Sequence, residues 1–331
     1  MNITKKATLM GVMLLFSCVL SAQAWAAQRG LICYGASIDD NGFNQSANQG
    51  ATRALNHYGK DVVLEGFINS EEKEIKAADI PNFDDKWNFV IGVGSEYGPL
   101  FKEAAGKHPF TKYIVIDSTE IPKLHNMQCV RFNNEEMGYL AGVIAAATTA
   151  TKQIGFIGYD KNNFGTKEFL TGFTQGAKVA NQEVLIKSKF VKSYKKPEKL
   201  AGLAEELYDS KIDVIFAAAG GSGKGLWKAA TDKKKFFIGC DTDQAKAAPA
   251  KARPYVLSSV IKDMNNTMYA CIAECMEGKF VAGKKEMNYS NGGVSYIDND
   301  GNKDKLAKAM DALLDAHAQL TLNQADLPVV K

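Results

Sequence analysis

Short apolar runs alternate with amphipathic stretches along most of the chain. Gly30–Ala36 is apolar and ends in small residues, as a buried strand does, and Phe43, Ala47, Ala51, Ala54, Leu55 and Tyr58 then recur at helical spacing. Val62–Phe67 predicts a second strand, Phe89–Val93 a third followed by a helix from Glu96, and Tyr113–Ile116 and Cys129–Phe132 two more. Met137, Leu140, Val143, Ile144 and Ala147 mark a helix that Asn133 and Asn134 are suited to cap. A second series opens with a strand at Gln153–Tyr159, a helix at Phe164–Ala180 and a strand at Val184–Val191. A helix at Pro197–Tyr208 and strands at Val214–Ala217 and Phe236–Gly239 continue it.

Strands that are apolar throughout, separated by amphipathic helices, imply parallel sheets covered on both faces. Two such series predict an α/β chain of two doubly wound parallel-sheet lobes joined by a hinge. The expected division puts 27–130 plus 262–286 in lobe 1 and 131–261 plus 287–331 in lobe 2. No repeat, Pro-rich linker or low-complexity tract separates the series, so short crossovers are expected rather than a tether.

Open parallel sheets collect ligands beyond the carboxyl ends of their strands. Polar residues expected there are Ser37, Asp39, Asp40 and Asn44 after the first strand, Ser95 and Glu96 after the third, and Asp117 and Ser118 after the fourth. In the second series they are Tyr159, Gly220–Ser222 and Asp241–Gln244. Two such rims facing each other predict a cleft that closes by hinge bending.

The N-terminus reads as an address. Lys5 and Lys6 precede an apolar run from Ala7 to Leu20, and Ala24-Trp25-Ala26 follows as a small-x-small cleavage site, so 1–26 is expected to be a secretory signal peptide. A retained membrane anchor is one alternative. Lipidation at Cys18, suggested by Leu15-Phe16-Ser17-Cys18, is another; bulky Phe16 and the continuing apolar Val19-Leu20 argue for export without a lipid. No other stretch approaches the roughly 20 apolar residues of a membrane span.

Composition narrows the function classes. The 331 residues are 46% hydrophobic and 23% charged, globular values that exclude a disordered chain and suit two domains. Formal charge is +3, or about +1 without Lys5 and Lys6, which leaves no electrostatic footprint for nucleic acid or an acidic membrane. Four scattered His exclude a dense imidazole metal site, and no cofactor or metal is expected. Without Cys18, Cys33, Cys129, Cys240, Cys271 and Cys275 remain, an odd count with no short-spaced framework. Cys271 and Cys275 fall on the apolar stripe Met264, Met268, Cys271, Ile272, Cys275 and read as core; the pattern leaves one disulfide possible and its pairing open.

Three motifs invite chemistry and decline it. Ala218–Gly225 resembles a phosphate loop but has Ala218 where that loop has its first Gly and Gly225 where it has a metal-binding hydroxyl. It reads instead as a Gly-rich turn that lets backbone approach a ligand at a helix start. Asp298–Asn302 resembles part of a calcium loop, but the first and twelfth positions are Tyr296 and Ala307, and a tight hairpin turn is expected. His57, His108, His125 and His317 sit in no nucleophile motif, there is no G-x-S-x-G, and Asp40, Asp117 and Asp241 have no candidate nucleophile beside them, so an enzyme is not expected.

Ile38-Asp-Asp-Asn-Gly-Phe-Asn-Gln-Ser46, followed by Gly50, resembles the opening motif of the basic membrane protein family, substrate-binding proteins of ABC transporters similar to bacterial purine nucleoside receptors. Gly138-Tyr-Leu-Ala-Gly142, Gly155–Gly158, Ile212–Gly220, Ile238-Gly-Cys-Asp-Thr-Asp-Gln244 and Leu257–Lys262 match in order, so the resemblance spans nearly the whole exported chain. It implies a type I periplasmic binding protein-like fold, a nucleoside as ligand, a membrane permease as partner, a periplasmic location and a monomer. It also implies roles. Phe43 and Tyr194 would cover the two faces of a nucleobase, Asn44 and Asp117 would bond its edges, and Asp241 and Lys262 would hold ribose hydroxyls. Asp40, Gly220 and Ser222 complete the expected ligand-binding set. The chain departs from the family in having Tyr194 where Phe is frequent, Lys195-Lys196 where an acid follows, and Cys240 in place of Val. A riboflavin-like vitamin or a sugar as ligand, or a nucleoside-cleaving enzyme, are the alternative functions.

Overall fold

The computed structural model describes residues 26–322 apart from 70–74, 81–82, 84–85 and 120–121; the expected signal peptide up to Ala24 and Trp25, and Cys18 within it, lie outside the described residues. The chain begins with β1 (Gln28–Tyr34), α1 (Phe43–Tyr58), β2 (Val62–Ile68), β3 (Phe89–Val93), α2 (Gly98–Lys107), β4 (Lys112–Ile116) and β5 (Met127–Phe132). It then builds α3 (Asn134–Thr148), β6 (Gln153–Gly158), α4 (Phe164–Ala180), β7 (Leu185–Phe190), α5 (Pro197–Asp209), β8 (Val214–Ala218), α6 (Gly225–Lys233), β9 (Phe236–Asp241), α7 (Gln244–Ala247) and β10 (Val256–Lys262). α8 (Met264–Met276) and β11 (Gly283–Met287) return to the first unit, and β12 (Val294–Tyr296), α9 (Lys303–Leu306) and α10 (Met310–Leu322) finish in the second.

Two six-stranded sheets result, ordered β11-β5-β4-β3-β1-β2 and β12-β10-β9-β8-β6-β7. Neighbours in the first are all parallel; in the second only β12 runs antiparallel, against β10. The two doubly wound α/β lobes are therefore present, and they correspond strand for strand: β1 with β6, β2 with β7, β3 with β8, β4 with β9, β5 with β10. The chain passes between them three times, at 132–134, 262–264 and 287–294. The first passage follows Phe132 because β5 pairs with β11 up to that residue.

Two local expectations are corrected, and one strand that the sequence did not reveal is present. The edge strands β2 and β7 are not apolar throughout: Val63, Glu65, Leu185 and Lys187 are exposed, since an edge strand is only half covered, and the charges guard an open edge. β11, Gly-Lys-Lys-Glu-Met, gives no apolar signal because it too is an edge, held to its neighbours by Lys285–Glu274 (2.5 Å) and Glu286–Arg131 (3.0 Å) ion pairs. Asp298–Asn302 is not a hairpin turn. Asp300–Asn302 is one turn of 3-10 helix leading into α9, anchored where Asn299 Nδ2 and Asn302 Nδ2 donate to the Val256 carbonyl (2.6 and 2.7 Å). Cys271 and Cys275 lie in the core, as their apolar stripe implies.

Candidate functional site

A cavity of about 500 Å³ lies between the carboxyl ends of the two sheets, lined from both lobes. Lobe 1 brings Asp40, Phe43 and Asn44 from the start of α1 and Asp117 from the end of β4; lobe 2 brings Tyr194, Gly220 and Asp241 from the ends of β7, β8 and β9. Lys262, the last residue of β10, closes the floor beside the second passage.

Lys262 organises the centre. Its ammonium is 4% exposed, bonds Asp117 Oδ2 at 2.6 Å across the lobes, and sits 5.2–5.5 Å from the ring centroids of Phe43, Phe132 and Phe169. Three ring faces and a carboxylate hold a cation where water does not reach. Burial alone would lower its pKa; Asp117 and Asp241 outweigh burial and raise it. Asp241 moves the same way for a different reason: burial raises it most, Lys262 draws it down and Asp117 pushes it up again. Asp117 and Asp241 occupy corresponding positions, and both have left-handed backbone (φ 64° and 68°), a conformation costly for non-glycine residues and concentrated at functional sites. Each carboxylate is thereby turned off its strand end toward the cleft wall.

Asp40 is fully engaged within its own segment. Oδ1 accepts from the amides of Gly42 (2.8 Å) and Gln45 (3.0 Å), and Oδ2 accepts from the amide and the side chain of Asn44 (2.9 and 3.0 Å). It caps α1 and orients Asn44, whose Nδ2 must face the carboxylate because an ionised carboxylate can only accept. The Asn44 carbonyl oxygen has no protein partner.

Ser222 lies outside the cavity lining and is fully buried. Its Oγ accepts from the Lys196 amide (2.9 Å) and donates to the Ser193 carbonyl (2.7 Å), so it fixes the loop that carries Tyr194. Gly220 serves the same loop. It has φ 52°, and a Cβ there would stand 3.1 Å from the Tyr194 ring, so a side chain would be strained and crowded. Tyr159 stacks on Tyr194 with centroids 4.2 Å apart. Residues that the sequence reading passed over also line the cavity: Arg131, Asn134, Phe164, Glu168 and Phe169. Arg131 bonds Glu168 and Glu286 (3.0 Å), and Asn134 Nδ2 donates to Glu168 (3.1 Å), a buried polar cluster beside the first passage. Nothing in the linear pattern marks them, because their link is across strands and helices.

Among the described residues no group of three or more His, Cys, Asp or Glu could hold a metal ion, and no helix is long and apolar enough to cross a membrane.

Comparison with known proteins adds four findings. Residues 27–317 match the family model described as ABC transporter substrate-binding protein PnrA-like. The chain is 30% identical over 264 residues to basic membrane protein D of Borreliella burgdorferi, covering 78% of this chain and 74% of that one. It is 29% identical over 301 residues to the ABC transporter nucleoside-binding protein BmpA of Lactococcus lactis, covering 84% of each. Among solved structures, an ABC transporter solute-binding protein from Aeropyrum pernix superposes with a TM-score of 0.77 at 19% identity, over 90% of this chain and 92% of that one, a likeness of fold.

Proposed function

This chain belongs to the family of PnrA-like ABC transporter substrate-binding proteins, and on that premise we propose that it captures a nucleoside, purine in preference, between its lobes. The closed protein then delivers the ligand to a membrane permease. The observation that carries the reading is the joining, in one interlobe cavity, of rings from both lobes with the Asp117–Lys262–Asp241 cluster. A flat, uncharged, polar-edged ligand needs those groups and neither a metal nor a basic funnel. Phe43 and Tyr194 cover the base, Asn44 accepts from its edge through the unpartnered carbonyl, and Asp241 and Lys262 hold ribose hydroxyls. Asp117 serves the base edge while anchoring Lys262.

The magnitudes support the reading. Two stacking contacts of about 1–3 kcal/mol each and charged hydrogen bonds of about 1.5–3 kcal/mol each bring the roughly 8 kcal/mol of a micromolar complex within reach once the cleft is preorganised. The carboxylates disfavour a nucleotide's phosphate. The 1–26 segment fits export to the periplasm, where the mature chain acts as a monomer. Calorimetric titration with adenosine, guanosine and inosine tests this. Saturable heat with at least one is expected, and its absence with all three, alongside a thermal shift from riboflavin or a sugar, would replace the ligand class.

A further inference from the structure

We propose that Phe164 is a third recognition ring, the lobe 2 counterpart of Phe43, which packs edge-on against the bound heterocycle whose faces Phe43 and Tyr194 cover. The inference rests on the nucleoside reading above and extends it to a residue that no sequence motif marked.

The two lobes repeat one arrangement, and the repeat reaches the cavity rim. Phe43 is the first residue of α1, the helix after β1; Phe164 is the first residue of α4, the helix after the corresponding strand β6. The residues ahead of them agree as well: Asp39-Asp-Asn-Gly-Phe43 and Asp160-Lys-Asn-Asn-Phe164 share Asp, Asn and Phe in register. Both helix starts are fixed by side-chain bonds to backbone amides. Asp40 does this for α1, while in lobe 2 Asn163 Oδ1 accepts from the Thr166 amide (2.9 Å) and Asp160 Oδ1 from the Asn162 amide (2.8 Å). A ring on such a start is held in place before any ligand arrives, which reduces the ordering cost of binding.

What the two rings do in the fold differs. Phe43 is half-buried and packs on the main hydrophobic core. Phe164 is 55% exposed, belongs to none of the three hydrophobic cores, and has no aromatic ring against it among the described residues. It nonetheless lines the cavity. A large ring kept in water at a cavity wall forgoes the burial that would stabilise the fold, and a flat ligand entering the cavity restores that burial.

Titration calorimetry with adenosine, guanosine and inosine on the purified protein and on Phe164→Ala, Phe164→Leu and Phe164→Tyr decides the matter. The Ala and Leu variants should bind about tenfold more weakly, as loss of one edge-to-face aromatic contact predicts. The Tyr variant should stay within about threefold, and the unliganded melting midpoints should all match, because the residue supports no core. Undiminished affinity in Phe164→Ala, or a loss in Phe164→Tyr as large as in Phe164→Ala, overturns this inference while leaving the nucleoside reading intact. Absence of binding by the unsubstituted protein removes the nucleoside reading and this inference with it.

Discussion

Glu136 shows how a single buried group ties the hinge to pH. It lies in the first turn of α3, just after the first passage between lobes, and its Oε2 accepts from the Tyr289 amide (2.7 Å) in the third passage. Burial raises its pKa from 4.5 to about 7; the Tyr289 amide and Arg131 oppose the rise, and Glu286 and Glu135 add to it. A carboxyl with a raised folded pKa binds its proton more tightly when folded. Its stabilising contribution is therefore full below about 4.5 and lost as pH climbs through about 7, at most about 3 kcal/mol. Glu136→Gln keeps an acceptor for Tyr289 and removes the titration. Its melting midpoint should fall less between pH 5 and pH 8 than that of the unsubstituted protein, by several degrees in a thermal scan; parallel curves would show that Glu136 does not titrate in this window. Legibility at this scale followed chemistry. That Asp117 and Asp241 line the cavity was readable because strand ends in parallel sheets are where ligands gather, whereas Lys262 was named only through the family resemblance. Ser222 was misjudged, since a hydroxyl in a Gly-rich turn looks the same whether it faces a cleft or pins a neighbouring loop.

Helices α3 and α4 meet backbone to backbone, and glycine is the reason. Gly138 and Gly142 on one helix oppose Gly172 and Gly176 on the other. A methyl added at any of them would lie within 1.9–2.2 Å of a carbonyl oxygen of the facing helix, such as Phe173 from Gly142 or Tyr139 from Gly176. Such an approach brings Cα hydrogens against carbonyls and sets α4, hence Phe164 and Phe169, relative to the hinge. Gly176→Ala gains up to about 1 kcal/mol in helix propensity, yet the clash is with backbone on both sides and should cost more, so the melting midpoint should drop by about 5 °C or more. Gly202→Ala on α5 isolates the propensity effect, because nothing lies within 4 Å of the added methyl; there the midpoint should rise by a degree or two. A Gly176→Ala midpoint as high as that of Gly202→Ala would refute the packing argument. Gly138-Tyr-Leu-Ala-Gly142 was visible as a motif in the sequence, but its purpose depends on the partner helix. Apolar runs revealed the interior strands other than β10, where Ser258 and Ser259 interrupt the run, and they failed at β11 and β12, where charged or very short edges leave no period to read.

The lobes also hold each other at the rim of the cavity, and this contact belongs to the molecule rather than to either half. Asn41 has left-handed backbone (φ 53°) and turns its carbonyl toward lobe 2, where it accepts from Thr242 Oγ1 (2.9 Å) and Gln244 Nε2 (3.3 Å). Lys224 Nζ reaches the Asp39 carbonyl from the same side (3.2 Å). On the proposed hinge closure about the three passages, these interlobe bonds are made on closing and broken on opening. Apparent affinity for any ligand of the closed form scales with the fraction of protein that closes. Thr242 lines no part of the cavity, so Thr242→Val tests closure without altering the site. The variant loses one interlobe hydrogen bond, to Asn41, besides the one Thr242 accepts from Gln244 within lobe 2 (3.1 Å), and the interlobe loss of about 1 kcal/mol should weaken ligand binding about fivefold. Most of the loss should fall in the dissociation rate, since a shut cleft releases its ligand only by reopening. In solution scattering the unliganded variant should show a larger radius of gyration than the unsubstituted protein. An unchanged dissociation rate together with an unchanged radius would mean that the Asn41 contact follows closure and does not stabilise it.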